Sequence, residues 1–351
     1  MSIILEAREL TTQLVTRSGL VTAVDHVNLR IEEGRALALV GESGSGKSMT
    51  CASLLRVLPP NGRVVGGQVL FKGEDLLAMT PRALRAVRGR RIGMVLQDAM
   101  TSLNPLMTVG DQIAEVFRYH HGIRDRAELR QRAIEALEAV QIPAAAQRLD
   151  SYPFQFSGGM RQRVSIAINI ACSPELLFCD EPTTALDVTV QLQILNLLRD
   201  LQRERRMTIV FVTHDLRLAS QFCDDVAIMY AGRIVERGPI GEVFHRPVHP
   251  YTEGLLRAAP SLGAPRERLS TIPGTPPSPL ALPPGCRFAP RCPQASAQCT
   301  EAYPDWFSWD QGRRAVACWR TAERLGVEEV SADGAVPPPL PPRVAVPEVT
   351  S

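Results

Sequence analysis

The chain has 351 residues, 45% of them apolar, and a formal net charge of +2 set by 39 basic against 37 acidic side chains. That is more than one typical domain needs and enough for an ordinary buried core, while the near balance of charge argues against nucleic acid or an acidic membrane surface as the main partner. No apolar run approaches the roughly 18 residues of a membrane-spanning helix, and the start MSIILEARELTTQ lacks the basic and apolar regions of a signal peptide, so a soluble, cytosolic protein is expected.

Over residues 3 to about 235, short β-like apolar runs (ALALVG, RIGMVLQ, ELLFCDEP, TIVFVTHD, VAIMYAG) alternate with longer helical stretches. This predicts an α/β fold on a parallel sheet. The first run to carry chemistry is ALALV, followed at once by GESGSGKS and a helical segment, the strand-loop-helix context of a P-loop. Glycines 41, 44 and 46 let the backbone bend so that consecutive amides point at phosphate oxygens, and the helix start adds its partial positive charge. The phosphate cradle is expected over Gly41, Glu42, Ser43, Gly44, Ser45, Gly46, Lys47, Ser48 and Met49, with Lys47 on the β- and γ-phosphates and Ser48 on Mg²⁺. A Gly/Ser-rich turn with an incidental lysine is the plain alternative. It is disfavoured because Lys47 and Lys72 are the only lysines in the chain.

Residues 83 to 172 interrupt the alternation with helical spacing in TVGDQIAEVFRYHHG and over 126 to 140, which predicts a mostly helical insertion. ELLFCDEP then brings Asp180 and Glu181 to the C-terminal end of a buried strand, the edge where such sheets bind ligands. Asp180 is suited to hold Mg²⁺ and Glu181 to act as general base toward water, although an isolated acidic pair at a strand end can be purely structural. His214, at the end of TIVFVTHD, is placed to hydrogen-bond a γ-phosphate oxygen at the same edge.

After about residue 239 the composition shifts through PVHPYTEGLL to a proline-dense passage that cannot be regular helix or central strand. Of the eight cysteines, Cys51, Cys172, Cys179 and Cys223 lie in apolar stretches, whereas Cys286, Cys292, Cys299 and Cys318 cluster in this extension. Soft ligands in a segment poor in core residues point to a metal. The wide Cys-x5-Cys-x6-Cys-x18-Cys spacing lacks the close pairs typical of structural zinc and allows an iron–sulfur cluster. Residues 326–351 are too proline-rich to pack and are expected to form a disordered or polyproline tail.

FSGGMRQR, residues 156 to 163, resembles the signature sequence of ABC ATPases and precedes the acidic pair by the helix-length interval typical of that family. The resemblance spans about residues 5 to 240. It implies a P-loop NTPase fold of ABC type, with a parallel-sheet core, an antiparallel β subdomain and a helical insertion. In this family Ser157, Gly158, Gly159 and Met160 would present hydroxyl and N–H groups to the ATP of an opposing subunit. Gln97 in MVLQD resembles the glutamine that senses Mg²⁺ and contacts the membrane partner, and Asp187 in TTALD resembles the family's D-loop aspartate. One element departs: these ATPases usually stack adenine on an early aromatic, yet Leu14 stands near that place and the first aromatic is Phe71.

HPYTEGLL, PGTPP, GCRFAPRCP and QDAMTSLNP look like the oligopeptide/dipeptide (peptide/nickel) importer ATPases. That narrower resemblance implies an ABC ATPase domain over 1–240, a cysteine-bearing extension over 241–325, and a 4Fe–4S cluster on the extension's cysteines. It further implies an ATPase on the cytoplasmic face of the membrane, peripheral to two transmembrane permease subunits. A second, different ATPase subunit and an extracytoplasmic solute-binding protein complete the expected assembly. The expected function is ATP-driven uptake of di- or oligopeptides; uptake of nickel or another small solute, and a soluble ABC ATPase acting on nucleic acid or ribosomes, are the alternatives.

Overall fold

The computed structural model describes residues 2–98, 102–184, 186–258 and 271–327. Of the tail expected over 326–351, all but residues 326 and 327 lie outside the described residues, as do residues 99–101 of QDAMTSLNP.

Strands β1 (Ile3–Thr16) and β2 (Gly19–Glu32) form a long antiparallel hairpin. Next come β3 (Ala36–Val40), β4 (Gly62–Phe71) and the two-residue β5 (Glu74–Asp75). Pairing of β4 with β1, and of β5 with β4, completes an antiparallel sheet in the order β2-β1-β4-β5. This is the antiparallel β subdomain that the resemblance implied.

The second sheet holds β3 together with β6 (Ile92–Val95), β7 (Leu176–Asp180), β8 (Thr208–Thr213), β9 (Asp225–Tyr230), β10 (Arg233–Pro239), β11 (Phe307–Trp309) and β12 (Arg314–Val316). Among the described residues its order is β11-β12-β10-β9-β3-β8-β7-β6. The stretch from β9 to β6 is parallel. Its central strands β3, β7 and β8 are buried at every position, and apolar except at Asp180, Thr208 and Thr213 at their ends, because both faces are covered. Period-2 alternation divides them: Ala38, Val40, Leu177, Cys179, Ile209 and Phe211 face the helical layer, while Leu39, Phe178, Val210 and Val212 face the antiparallel sheet.

The helical layer contains Val109–His121, Arg126–Ala139 and Gly158–Ile170, capped by the side chains of Thr108, Asp125 and Ser157, each accepting a backbone N–H three residues on. Ile113, Phe117, Leu129, Leu137, Val164 and Ile166 bury their apolar stripe in the same core as β3 and β6. Strand β6 lies within the 83–172 interval but belongs to the main sheet, so the helices branch from its end.

The extension is built into the fold. Strand β12 pairs with β10 (Glu236 opposite Val316, Arg237 opposite Ala315) and β11 pairs with β12, prolonging the main sheet. Beneath this junction the fully buried carboxylate of Glu236 accepts N–H bonds from Val248 (3.1 Å) and His249 (3.0 Å), and Arg314 lies 3.3 Å away. Burial pushes the Glu236 carboxyl up in pKa, and these donors oppose that shift.

Candidate functional site

The loop between β3 and the helix Lys47–Leu54 has a shape that its glycines permit. Gly44 and Gly46 have φ of +77° and +105°, in the left-handed region. A Cβ on Gly41 would come within 2.1 Å of the Met229 carbonyl oxygen. Gly46 caps the helix with no side-chain acceptor, so the first amides remain available to an anion. The Lys47 side chain is only 4% exposed and lies 3.7 Å from Glu181 Oε1. Its ammonium donates to the carbonyls of Gly41 (2.8 Å) and Glu42 (3.1 Å). Burial lowers its pKa, with the charges of Glu181 and Asp180 opposing.

At the end of β7, Asp180 accepts a hydrogen bond from Ser48 Oγ at 2.9 Å, joining the expected Mg²⁺ ligands from two distant segments. Burial raises the Asp180 pKa against this bond. Glu181 has φ of +43°, a conformation unusual for a residue with a side chain and one that clusters at functional sites. Its Oε2 accepts from Gln97 Nε2 (3.2 Å) and Thr184 Oγ1 (2.9 Å), and His214 Nδ1 lies 3.6 Å away. Glu42, Ser43, Gly44, Gly46, Lys47, Ser48, Met49, Gln97, Glu181 and His214 line one open cavity of about 860 Å³. A triphosphate reaching Lys47 would therefore meet a carboxylate, an amide and an imidazole at its terminal phosphate.

The residues of SGGM and Asp187 do not line that cavity. Ser157 accepts the Met160 N–H and Asp187 accepts the Val190 N–H, so each caps a helix start. The two starts pack closely: a Cβ on Gly159 would sit 2.5 Å from Val190 Cγ1.

The extension reaches the P-loop directly. Tyr251 Oη accepts the Glu42 N–H at 2.8 Å, and Arg291 donates to both Glu42 carboxylate oxygens at 2.7 and 3.1 Å. Arg291 also donates to Pro273 O at 3.0 Å. Arg287 bonds the Asp25 carboxylate on β2 and the Ala231 carbonyl. Motif reading did not single out Thr184, Tyr251, Arg287 or Arg291 for these roles. Thr184 has a local signal, lying three residues past Glu181, whereas the other three meet their partners only across the fold.

Cys286, Cys292, Cys299 and Cys318 line one small cavity together with His249 and Phe288. The Cys286 N–H donates to Cys299 O at 2.8 Å. The Gln294 N–H points at Cys292 Sγ, and Ser296 Oγ lies 3.4 Å from Cys299 Sγ. Burial pushes the Cys286 thiol up to about 11. Among the described residues, no group of three or more His, Cys, Asp or Glu side chains is arranged to hold a metal ion. Nor, among them, is any helix long and apolar enough to cross a membrane.

Comparison with known proteins agrees with this geometry. The ABC transporter family matches residues 24–184, and the oligopeptide/dipeptide transporter C-terminal region matches residues 235–299. A Brucella abortus protein named for peptide import is 52% identical over 86% of this chain and 90% of its own length. The oligopeptide transport ATP-binding protein OppD of Salmonella typhimurium is 47% identical over 92% of this chain and 96% of its own. Among solved structures, the ATP-binding cassette MJ0796, a dimer bound to ADP and phosphate, superposes with a TM-score of 0.61 at 28% identity, covering 67% of this chain and 98% of that one. CbiO1 of Clostridium perfringens, part of an ABC transporter complex, gives 0.60 at 28%, covering 70% and 92%. With both family models matched and relatives 47–52% identical over most of their own length, the chain belongs to the peptide-importer family of ABC transporter ATPase subunits.

Proposed function

We propose that this chain binds and hydrolyses MgATP at the cytoplasmic face of a membrane to drive uptake of di- or oligopeptides through two permease subunits. One observation carries the reading: Lys47, Ser48, Gln97, Glu181 and His214 line one cavity, with Asp180 bonded to Ser48, and the extension matched by peptide transporters grips its P-loop. In this reading Lys47 neutralises the β- and γ-phosphates, and His214 holds a γ-phosphate oxygen. Glu181, held by Gln97 and Thr184, takes the proton of the attacking water. Ser48, Asp180 and Gln97 would hold Mg²⁺, which when bound offsets phosphate charge.

The signature residues Ser157, Gly158, Gly159 and Met160, with Asp187, stand apart from this cavity and would serve the ATP of a second subunit. Closure of two such domains around two nucleotides, and reopening after hydrolysis, would move the permeases. A different chain as that second ATPase, and a solute-binding protein outside the membrane as the donor of peptide, complete the proposed assembly.

The four thiols line one small cavity, with an N–H and a hydroxyl close to two of the sulfurs; they are not arranged as a metal site in this structure, and it is their number and softness that match the four thiolates of a 4Fe–4S cluster. Cys286, Cys292, Cys299 and Cys318 would hold it, and its chemistry there would be that of a cross-link tying the extension together. Anaerobic purification should give a brown protein with broad visible absorption; a colourless protein with stoichiometric zinc would overturn the cluster assignment.

The function is tested by co-purifying the chain with its permeases and reconstituting them in vesicles with the binding protein. Labelled di- and oligopeptides should enter and raise ATP turnover. Uptake of Ni²⁺ with no response to peptides would overturn the peptide reading.

A further inference from the structure

The triphosphate cavity continues, past the P-loop, into a second cavity of about 150 Å³. The two share Ala23, Glu42, Ser43, Gly44, Gly46 and Pro276. Gln97, Glu181 and His214, the groups suited to the γ-phosphate, line only the first. A nucleotide lying along the P-loop with its γ-phosphate at those groups therefore points its base toward the second cavity.

That cavity has two apolar sides from distant segments. One is formed by Val21 and Ala23 of β2, with Thr22 between them; the other is Pro276, Pro277, Pro279 and Leu282 of the extension. Pro276 and Pro279 are exposed, so their ring faces are open to a ligand. The proline segment is held in place at both ends: Arg291 bonds Pro273 O and Glu42, and Leu280 packs 3.4 Å from where a Cβ on Gly19 would stand. Leu14 lines neither cavity; it pairs with Val21 and Gly62 within the sheet. The buried Ser45 hydroxyl, also in the lining, has no hydrogen-bond partner among the described residues.

We propose that the proline segment of the extension, Pro276 to Leu282, forms the wall against which the nucleobase of bound ATP packs, a role that an aromatic from an early strand would otherwise fill. Flat apolar proline faces opposite a strand accept a purine ring by contact alone. The proposal rests on the nucleotide reading of the P-loop. It gives the extension a part in recognising ATP beyond any part in the cysteine cavity.

The test titrates the full-length chain with MgADP, which is not consumed, and with magnesium pyrophosphate, which has no base. The double variant Pro276→Ala/Pro277→Ala and, separately, Leu282→Ala should weaken MgADP about tenfold, leaving pyrophosphate affinity and melting temperature unchanged. Unchanged MgADP affinity, or equal losses for ADP and pyrophosphate, would overturn the proposal. Photolabelling with 8-azido-ADP should mark residues 276–282; labelling confined to β1 around Leu14 would also overturn it. Failure of the unsubstituted chain to bind either ligand would remove the nucleotide reading itself, and this one with it.

Discussion

Replacing Arg291 by methionine should loosen the P-loop from the extension, and the geometry sets the size of the effect. The Arg291 side chain is 4% exposed and its bonds to Glu42 are 2.7 and 3.1 Å, with Tyr230 Oη a further acceptor at 3.2 Å. The bond to Glu42 raises the guanidinium pKa, so the arginine is charged at any working pH. Removing one partner of a fully buried pair costs about 3–5 kcal/mol. Glu42 is 28% exposed and keeps some water, which brings the expected loss for Arg291→Met to about 2–3 kcal/mol. Glu42→Gln leaves Arg291 its carbonyl acceptors and should cost about 1 kcal/mol. The double variant should fall short of the sum by about 1–2 kcal/mol, because the orphaned charge is then gone. Urea unfolding of the full-length chain, followed by fluorescence and far-ultraviolet dichroism, reads all three values. A loss below about 0.5 kcal/mol for Arg291→Met, or strict additivity, would refute the clamp as an energetic link.

Further outcomes follow from the same contacts. Glu181→Gln should retain ATP binding, slow hydrolysis by about 10²-fold or more and accumulate a closed dimer on gel filtration; normal turnover would remove Glu181 as base. Gly159→Ala should push the signature helix off Val190, costing about 1 kcal/mol net of its helix propensity and lowering hydrolysis, and Val190→Ala should restore both; a lone variant with full activity refutes the close-packing argument. Burial alone would raise the Asp25 pKa, but the bond from His26 and the charges of Arg233 and Arg287 hold it well below the usual range. A depressed carboxyl stabilises the fold above its unfolded pKa of about 4 and loses that contribution as pH falls further. Asp25→Asn should therefore be less stable than the unsubstituted chain at pH near 7, and the gap should narrow as pH falls below about 4 in urea titrations; a constant gap would contradict the linkage.

The α/β class, the P-loop, the acidic strand end and the signature helix start were all legible in the residues. The reason is local: a phosphate cradle needs consecutive amides with glycines at set offsets, and a strand covered on both faces is apolar along most of its length. The cysteine spacing was visible too, and all four cysteines line one cavity, but among the described residues they are not arranged as a metal site.

What stayed hidden depends on contacts between segments far apart in the chain. Glu42 meets Arg291 across 249 residues, and Asp25 meets Arg287 across 262. No periodicity or motif encodes such a pairing, because each partner is an ordinary polar residue until the sheet order places it. The same holds for strands β11 and β12, too short to read from alternation yet completing the main sheet beside β10. The proline run read only as a region unable to form helix or central strand. Its position against the P-loop comes from the folded extension, whose bonds through Arg291 and Tyr251 place it there. Sequence thus determined which residues carry the phosphate chemistry, because each sits in a short contiguous motif, and tertiary structure decided how those motifs meet and formed the second cavity beside the P-loop, whose two walls come from segments far apart in the chain.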